Sequence, residues 1–349
     1  MVGRRALGSA ASTLLAVIGV GVGWLAIVRP VAAHGADSLI PPQPSDILLD
    51  WTFDPLIAIP LFVAGIAYVW AVRRVDREHP ANPVPRIRIV TFIAGLLAIE
   101  IALQSIVERY DTTFFSVHMV QHLLLTLIAP PLLALGAPVT LLLRVSRPGF
   151  RQRFLLPILH SRVASVLSFP VFTWFFFAGV MWATHFSPIF ERSLVDPGVH
   201  DAEHALYLTA GILFWWPAVA LDPSPWRMSH PARMLYTGLQ MPQNTFLAFV
   251  ILNASVPLYA HYANLNLPWG PTAVADQQLA GAIMWIVGDL VFMFSMILML
   301  AGWMRSEARE EKRSERQADV AMAAIHEREL LLADRLARER ADGETAGRG

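Results

Sequence analysis

The feature that most limits what this chain can become is a series of seven apolar segments, near 55–72, 87–107, 114–143, 163–185, 203–221, 234–256 and 278–303. About 20 helical residues cross the hydrocarbon core of a bilayer. Inside that core every backbone N–H and C=O must find its partner within the protein, so each run is expected to be a helix. Charged residues are 15% of the chain and hydrophobic ones 55%, whereas a soluble domain carries about 25% charged residues. The fold class read from this is all-α, a polytopic membrane bundle of seven transmembrane helices. The third segment is too long for one straight span. Pro130 and Pro131 are expected to kink or break it, because proline has no backbone donor and clashes with the turn before it.

The ends have their own character. Residues 1–33 read as a signal peptide or a retained anchor helix: Arg4 and Arg5 precede an apolar run from Ala10 to Val28, and Val31, Ala32 and Ala33 offer small residues for a cut. Residues 34–54 form an acidic, Pro-rich extracytoplasmic segment, residues 55–303 the membrane domain, and residues 304–349 a charged tail. In the tail Met322, Ile325, Leu332 and Leu336 have a rough heptad spacing. Arginines mark alternate loops: Arg73, Arg74, Arg77, Arg86 and Arg88, then Arg144 to Arg162, then Arg227 and Arg233. The positive-inside rule places these loops and the C-terminus in the cytoplasm, and the start of the first span outside.

That topology sorts the 11 histidines. His118 and His122 stand four residues apart at the start of the third segment, and His200 and His204 repeat the spacing where the fifth begins. Residues i and i+4 share a helix face. His185 closes the fourth segment, with Met181 one turn before it. All of these fall near the outer boundary. Ionisable groups at membrane depth are costly and point to function. Neutral imidazole is the commonest side-chain metal ligand. The chain has no cysteine, so thiolate sites and disulfides are excluded, and imidazole with thioether is a set that favours Cu(I). Asp201, Glu203 and Gln121 lie beside these histidines as groups that can orient a ring. Glu100, Gln104 and Glu108 recur on one face of the second segment, and Asp289 is expected to meet one of the sixth segment's amides, Gln240, Gln243 or Asn244.

Together, Phe115-Ser-Val-His-Met-Val-Gln-His-Leu-Leu-Leu, the Ala-Pro-Pro-Leu-Leu-Ala-Leu-Gly-Ala-Pro run at 129–138, the His200/His204 pair with Trp216-Pro217, and Asp276-Gln-Gln-Leu-Ala-Gly-Ala-Ile-Met-Trp285 resemble the CtaG family. Its members are bacterial membrane proteins required to assemble caa-type cytochrome c oxidase. The likeness covers about residues 50–303. It implies a bacterial plasma-membrane assembly factor that works with oxidase subunits and handles copper. It carries over His118, His122, His200 and His204 as metal-binding positions, with Asp276 and Gln277 behind them. His185 and Met181 come from spacing alone.

No Walker loop, dinucleotide fingerprint or nucleophile elbow occurs, so a non-enzymatic role is expected. A net charge of zero carries no nucleic-acid signature. Three functions stay open on sequence: a copper-handling assembly factor, a membrane haem or redox protein with bis-His ligation, and a metal transporter.

Overall fold

A computed structural model describes residues 41 and 51–346; the targeting segment and most of the acidic segment lie outside them. Among the described residues every regular element is helical. The chain separates into two compact units, Met1–Met296 and Ile297–Gly349.

The first unit opens with α1 (Pro55–Glu78) and α2 (Arg86–Gln104), followed by the short α3 (Ile106–Tyr110). Asp54 caps α1 by accepting from Leu56 N at 2.8 Å, and Pro55 fills the first turn, where a missing donor costs nothing. The far end of α2 returns to this cap: Gln104 Oε1 accepts from Asp54 N at 3.0 Å. The histidine helix α4 (Phe115–Leu123) leads through a π-turn, Leu124–Ile128, into α5 (Ala129–Leu135) and then α6 (Pro138–Val145).

The diproline does not break this span. Pro130 cannot donate to Thr126 O, the carbonyl one turn back, and the backbone widens to a π-turn just before it. The freed carbonyl is taken by the indole of Trp215, Nε1 to Thr126 O at 3.0 Å. Trp215 can come so close because Gly211 lies against the proline; a Cβ there would stand 2.7 Å from Pro130 Cγ. The interruption falls later, at Ala137, whose φ of 49° is left-handed.

Short helical turns at Pro148–Phe150, Arg151–Leu155 and Leu156–Leu159 follow, and the later elements are α7 (Arg162–Leu167), α8 (Pro170–His185), α9 (Pro188–Ser193), α10 (Pro197–Val219), α11 (His230–Gly238), α12 (Gln240–Asn253), α13 (Ala260–Asn264) and α14 (Ala273–Ala346). Of the seven expected spans, four are long and apolar enough to cross a membrane: Pro55–Glu78, Arg86–Tyr110, Phe115–Val145 and Ala273–Leu332. The other three segments are helical but interrupted or shifted. The 163–185 segment divides at Pro170, and the 234–256 segment divides at Leu239, three residues before Pro242. The 203–221 segment starts earlier, at Asp196, whose side chain caps α10 by accepting from Gly198 N at 3.0 Å. That brings Asp201 and Glu203 inside the helix and dilutes its apolar character.

Distant carboxylates tie other elements together. Asp222 accepts from Val139 N at 3.1 Å and Thr140 N at 2.6 Å, capping α6. Asp289 meets the expected amide: Asn244 Nδ2 donates to it at 3.1 Å, and Thr245 Oγ1 at 2.6 Å. The second unit is a helix with a solvent-exposed surface, on which Met322, Ile325 and Leu332 are each at least half exposed.

Candidate metal centre

Four parts of the first unit converge. Helix α4 brings His118 and His122 in its first two turns, α8 ends on His185, α10 begins with His200, Glu203 and His204, and the α3 region adds Glu108 and Asp111. All eight are buried. Ring centroids are 4.1 Å apart within each i, i+4 pair. Between elements they are 5.5 Å for His118–His200, 5.8 Å for His122–His185 and 6.5 Å for His122–His204. Phe190, wholly buried, lies 4.9 Å from the His118 ring, 5.4 Å from His185 and 6.0 Å from His122. Tyr207 closes the other side of His122 at 4.2 Å.

Donor accounting separates the rings. His185 Nδ1 lies 2.8 Å from the carbonyl oxygen of Met181. A carbonyl only accepts, so Nδ1 carries the proton and the neutral ring keeps a bare lone pair on Nε2, the form a metal ligand needs. Met181 thus acts on the cluster through its main chain. His200 Nε2 lies 3.2 Å from Asp111 Oδ2. His118 and His122 are different: they are 0% and 2% exposed, and neither ring nitrogen of either has a hydrogen-bond partner. A buried polar atom left unbonded costs about 1–3 kcal/mol, so two on one ring at the centre of five imidazoles are a mark of a ligand site.

Three overlapping sets of potential ligand atoms lie within 4.8 Å of one another: Asp111, His118 and His200; His118, His122 and Glu203; Glu108, Asp111 and His204. Imidazoles with one or two carboxylates fit a first-row transition metal. His261 stands apart, its Nε2 donating to Thr112 O at 2.8 Å.

Periodicity alone misplaces Glu108. It puts Glu100, Gln104 and Glu108 on one face, but the helix is interrupted at Ser105. Glu100 is left beside an apolar groove between α1 and α2, while Glu108 turns into the cluster and accepts from Gln121 Nε2 at 2.6 Å. Asp111 and Phe190 were not legible as site residues. Tyr207 had a signal: it continues the His200, Glu203, His204 face by one more turn.

The Asp276-Gln277 pair has a positioning role. Helix α4 has no side-chain cap of its own. Asp276 supplies one from α14, with Oδ2 accepting from Phe115 N at 2.6 Å and Oδ1 bonded to the Ser116 hydroxyl. Gln277 Oε1 accepts from Leu258 N at 2.7 Å, and its Nε2 donates to Val256 O at 3.2 Å. Replacing Asp276 by Ala is expected to lower stability by about 1–2 kcal/mol, the usual value of a lost cap. Metal capacity should fall with it as the histidine helix frays. Thermal unfolding read alongside metal content checks this; an unchanged melting point would remove the capping role.

Residues 66–306 match the family model described as cytochrome c oxidase caa3 assembly factor. The chain belongs to the cytochrome c oxidase caa3 assembly factor family. Every member of the buried cluster lies inside the matched region. Similar proteins include an uncharacterized protein of Mycobacterium leprae, 33% identical over 293 residues, which cover 81% of this chain and 44% of the relative. Uncharacterized proteins of Mycobacterium bovis and Mycobacterium tuberculosis are each 32% identical over 286 residues, covering 80% of this chain and 43% of theirs. The chain therefore spans less than half the length of these relatives. No solved structure matches it.

Proposed function

We propose that this chain is an integral membrane assembly factor that holds Cu(I) in its histidine cluster and hands it to a subunit of cytochrome c oxidase. Family membership supports the assembly role. The copper role rests on one observation, the His122 ring, whose two nitrogens are buried without partners among four other imidazoles. The ligands in this reading are His118, His122, His185, His200 and His204, with Met181 setting the tautomer of His185. Copper is cargo, so the site needs exchangeable ligands in place of a closed cage, and an excess of imidazoles provides them. In the same reading all seven helical segments cross the plasma membrane, the cluster lies toward the extracytoplasmic side, and the charged tail lies in the cytoplasm, as the arginine loops dictate.

Ring spacing favours this over bis-His haem. Rings packed edge to face at 4.1–6.5 Å leave space for an ion but no slot for a macrocycle. A transporter would need polar groups still open to cargo along its path, yet Asp289 is already satisfied by Asn244 and Thr245.

Metal analysis and optical spectra of the purified chain test the reading. Bound copper with no visible band is expected after anaerobic Cu(I) loading. A Soret band, or no copper retained after loading, would overturn the copper site.

A further inference from the structure

The ligand groups of the cluster do not all suit one ion. Among the described residues, two of the three ligand sets share no member: His118, His122 and Glu203 form one, and Glu108, Asp111 and His204 the other. Both can therefore be filled at once. The third set, Asp111, His118 and His200, borrows from each and can only compete with them.

The two independent sets differ in chemistry. The first offers two imidazoles and one carboxylate, the second two carboxylates and one imidazole. Carboxylate oxygen suits harder divalent cations and serves soft Cu(I) poorly. Charge points the same way. Glu108 is 8% exposed and Asp111 0%, and among the described residues no lysine or arginine is buried. A buried carboxylate needs a counter-charge. One divalent cation balances two of them, whereas Cu(I) leaves a negative charge over.

The fold holds both carboxylates in place. Gln121 Nε2, on α4, donates to Ala102 O at 2.9 Å and to Glu108 Oε2 at 2.6 Å. That contact orients the carboxylate, as outer partners of metal ligands do, and leaves Oε1 for an ion. Asp111 follows directly on α3. Its carbonyl oxygen accepts from the Tyr262 hydroxyl at 2.8 Å, and its Oδ1 accepts from Thr112 N. Its Oδ2 faces the cluster, 3.2 Å from His200 Nε2 but without the alignment of a hydrogen bond. A wholly buried carboxylate, anchored through its main chain and one oxygen, thus turns the other oxygen toward imidazoles.

We propose that Glu108, Asp111 and His204 form a second metal site, for a divalent first-row cation, which stays in place while Cu(I) is exchanged on the imidazole side. The site draws His204 from the surplus of imidazoles and leaves His118, His122, His185 and His200 for copper. An ion there ties α3 and the residue after it to α10, and so fixes the wall against which the copper ligands sit. The inference goes beyond the copper reading above and does not need it, because the two sets share no ligand.

The test uses the full chain in lipid nanodiscs, with Zn(II) as the probe because it has no redox chemistry. Protein loaded anaerobically with one equivalent of Cu(I) is titrated with Zn(II), dialysed and assayed for both metals. One zinc per chain is expected with the copper retained, and zinc should raise the melting temperature, since it binds the folded state. Glu108→Gln keeps an acceptor for Gln121 but removes the charge, and should weaken zinc binding by more than about 100-fold. Asp111→Asn should do the same, which keeps the comparison open if one variant folds poorly. His118→Ala with His122→Ala should lose copper and keep zinc. Zinc that displaces copper one for one means a single shared site and overturns the proposal. So does zinc bound equally by wild type and both carboxylate variants, which would be an adventitious ion only, and so does a wild type that retains none. A chain that holds copper but no zinc sinks this inference alone. A chain that holds zinc but no copper sinks the cargo reading.

Discussion

The double variant His118→Ala, His122→Ala is expected to lose Cu(I) binding by more than about 100-fold and to fail in oxidase maturation, yet to insert and fold. Loss of an outer partner of a metal ligand already costs 10–100-fold in affinity, and this variant removes two ligands that take part in two of the three ligand sets. Stability should change far less. The four ring nitrogens removed have no hydrogen-bond partner in the fold, so deleting them relieves a desolvation cost that offsets the cavity left behind. Competition with a Cu(I) chelator gives the affinity, thermal unfolding the stability, and oxidase activity in membranes the function. A double variant with full oxidase activity and wild-type copper content would show that the cluster is structural.

Gly211→Leu is expected to be the most damaging single change to the fold. The new Cβ would meet Pro130 Cγ at 2.7 Å and the Thr126 carbonyl oxygen at 2.8 Å, one a ring and the other main chain, neither of which can swing aside. Overpacking of this kind costs about 1–3 kcal/mol or more. If α10 is pushed outward, the Trp215 indole also leaves Thr126 O, and an unbonded carbonyl in this environment adds about 1–3 kcal/mol. The sum is a large part of the total stability of an ordinary domain, about 5–15 kcal/mol. Little folded protein should reach the membrane, and what does should melt far below wild type. Gly179→Leu is the matched control, since its Cβ enters open space. If the two variants behave alike, the close approach of α10 to the diproline is not what holds this span.

The site was partly legible because two of its pairs obey helix geometry locally. An i, i+4 spacing places His118 with His122 and His200 with His204 whatever the rest of the fold does. The sequence could not say which rings would end without partners. That depends on where Met181 O, Asp111 and the Tyr207 hydroxyl lie relative to each ring, and those distances are set by packing between helices. Glu108 shows a related failure. Extending one helical period from Glu100 is valid only while the helix is regular, and the interruption at Ser105 re-aims everything after it.

The caps follow the same division. Asp54 and Asp196 cap helices that begin one residue later, so the chain alone specifies them. Asp276 and Asp222 cap helices that begin 161 and 84 residues earlier in sequence, and nothing local announces that. What the sequence determined by itself was therefore what short-range chemistry controls: helical class, the apolar character that calls for a bilayer, the faces shared by each histidine pair, and the turns where proline forbids a donor. Tertiary structure alone decided the meeting of α3, α4, α8 and α10 around His122, the choice of Trp215 as donor to the carbonyl that Pro130 leaves unbonded, and the open flank at Gly179. Each of these depends on how closely two surfaces distant in sequence can approach, and that distance is fixed only when all the helices are packed together.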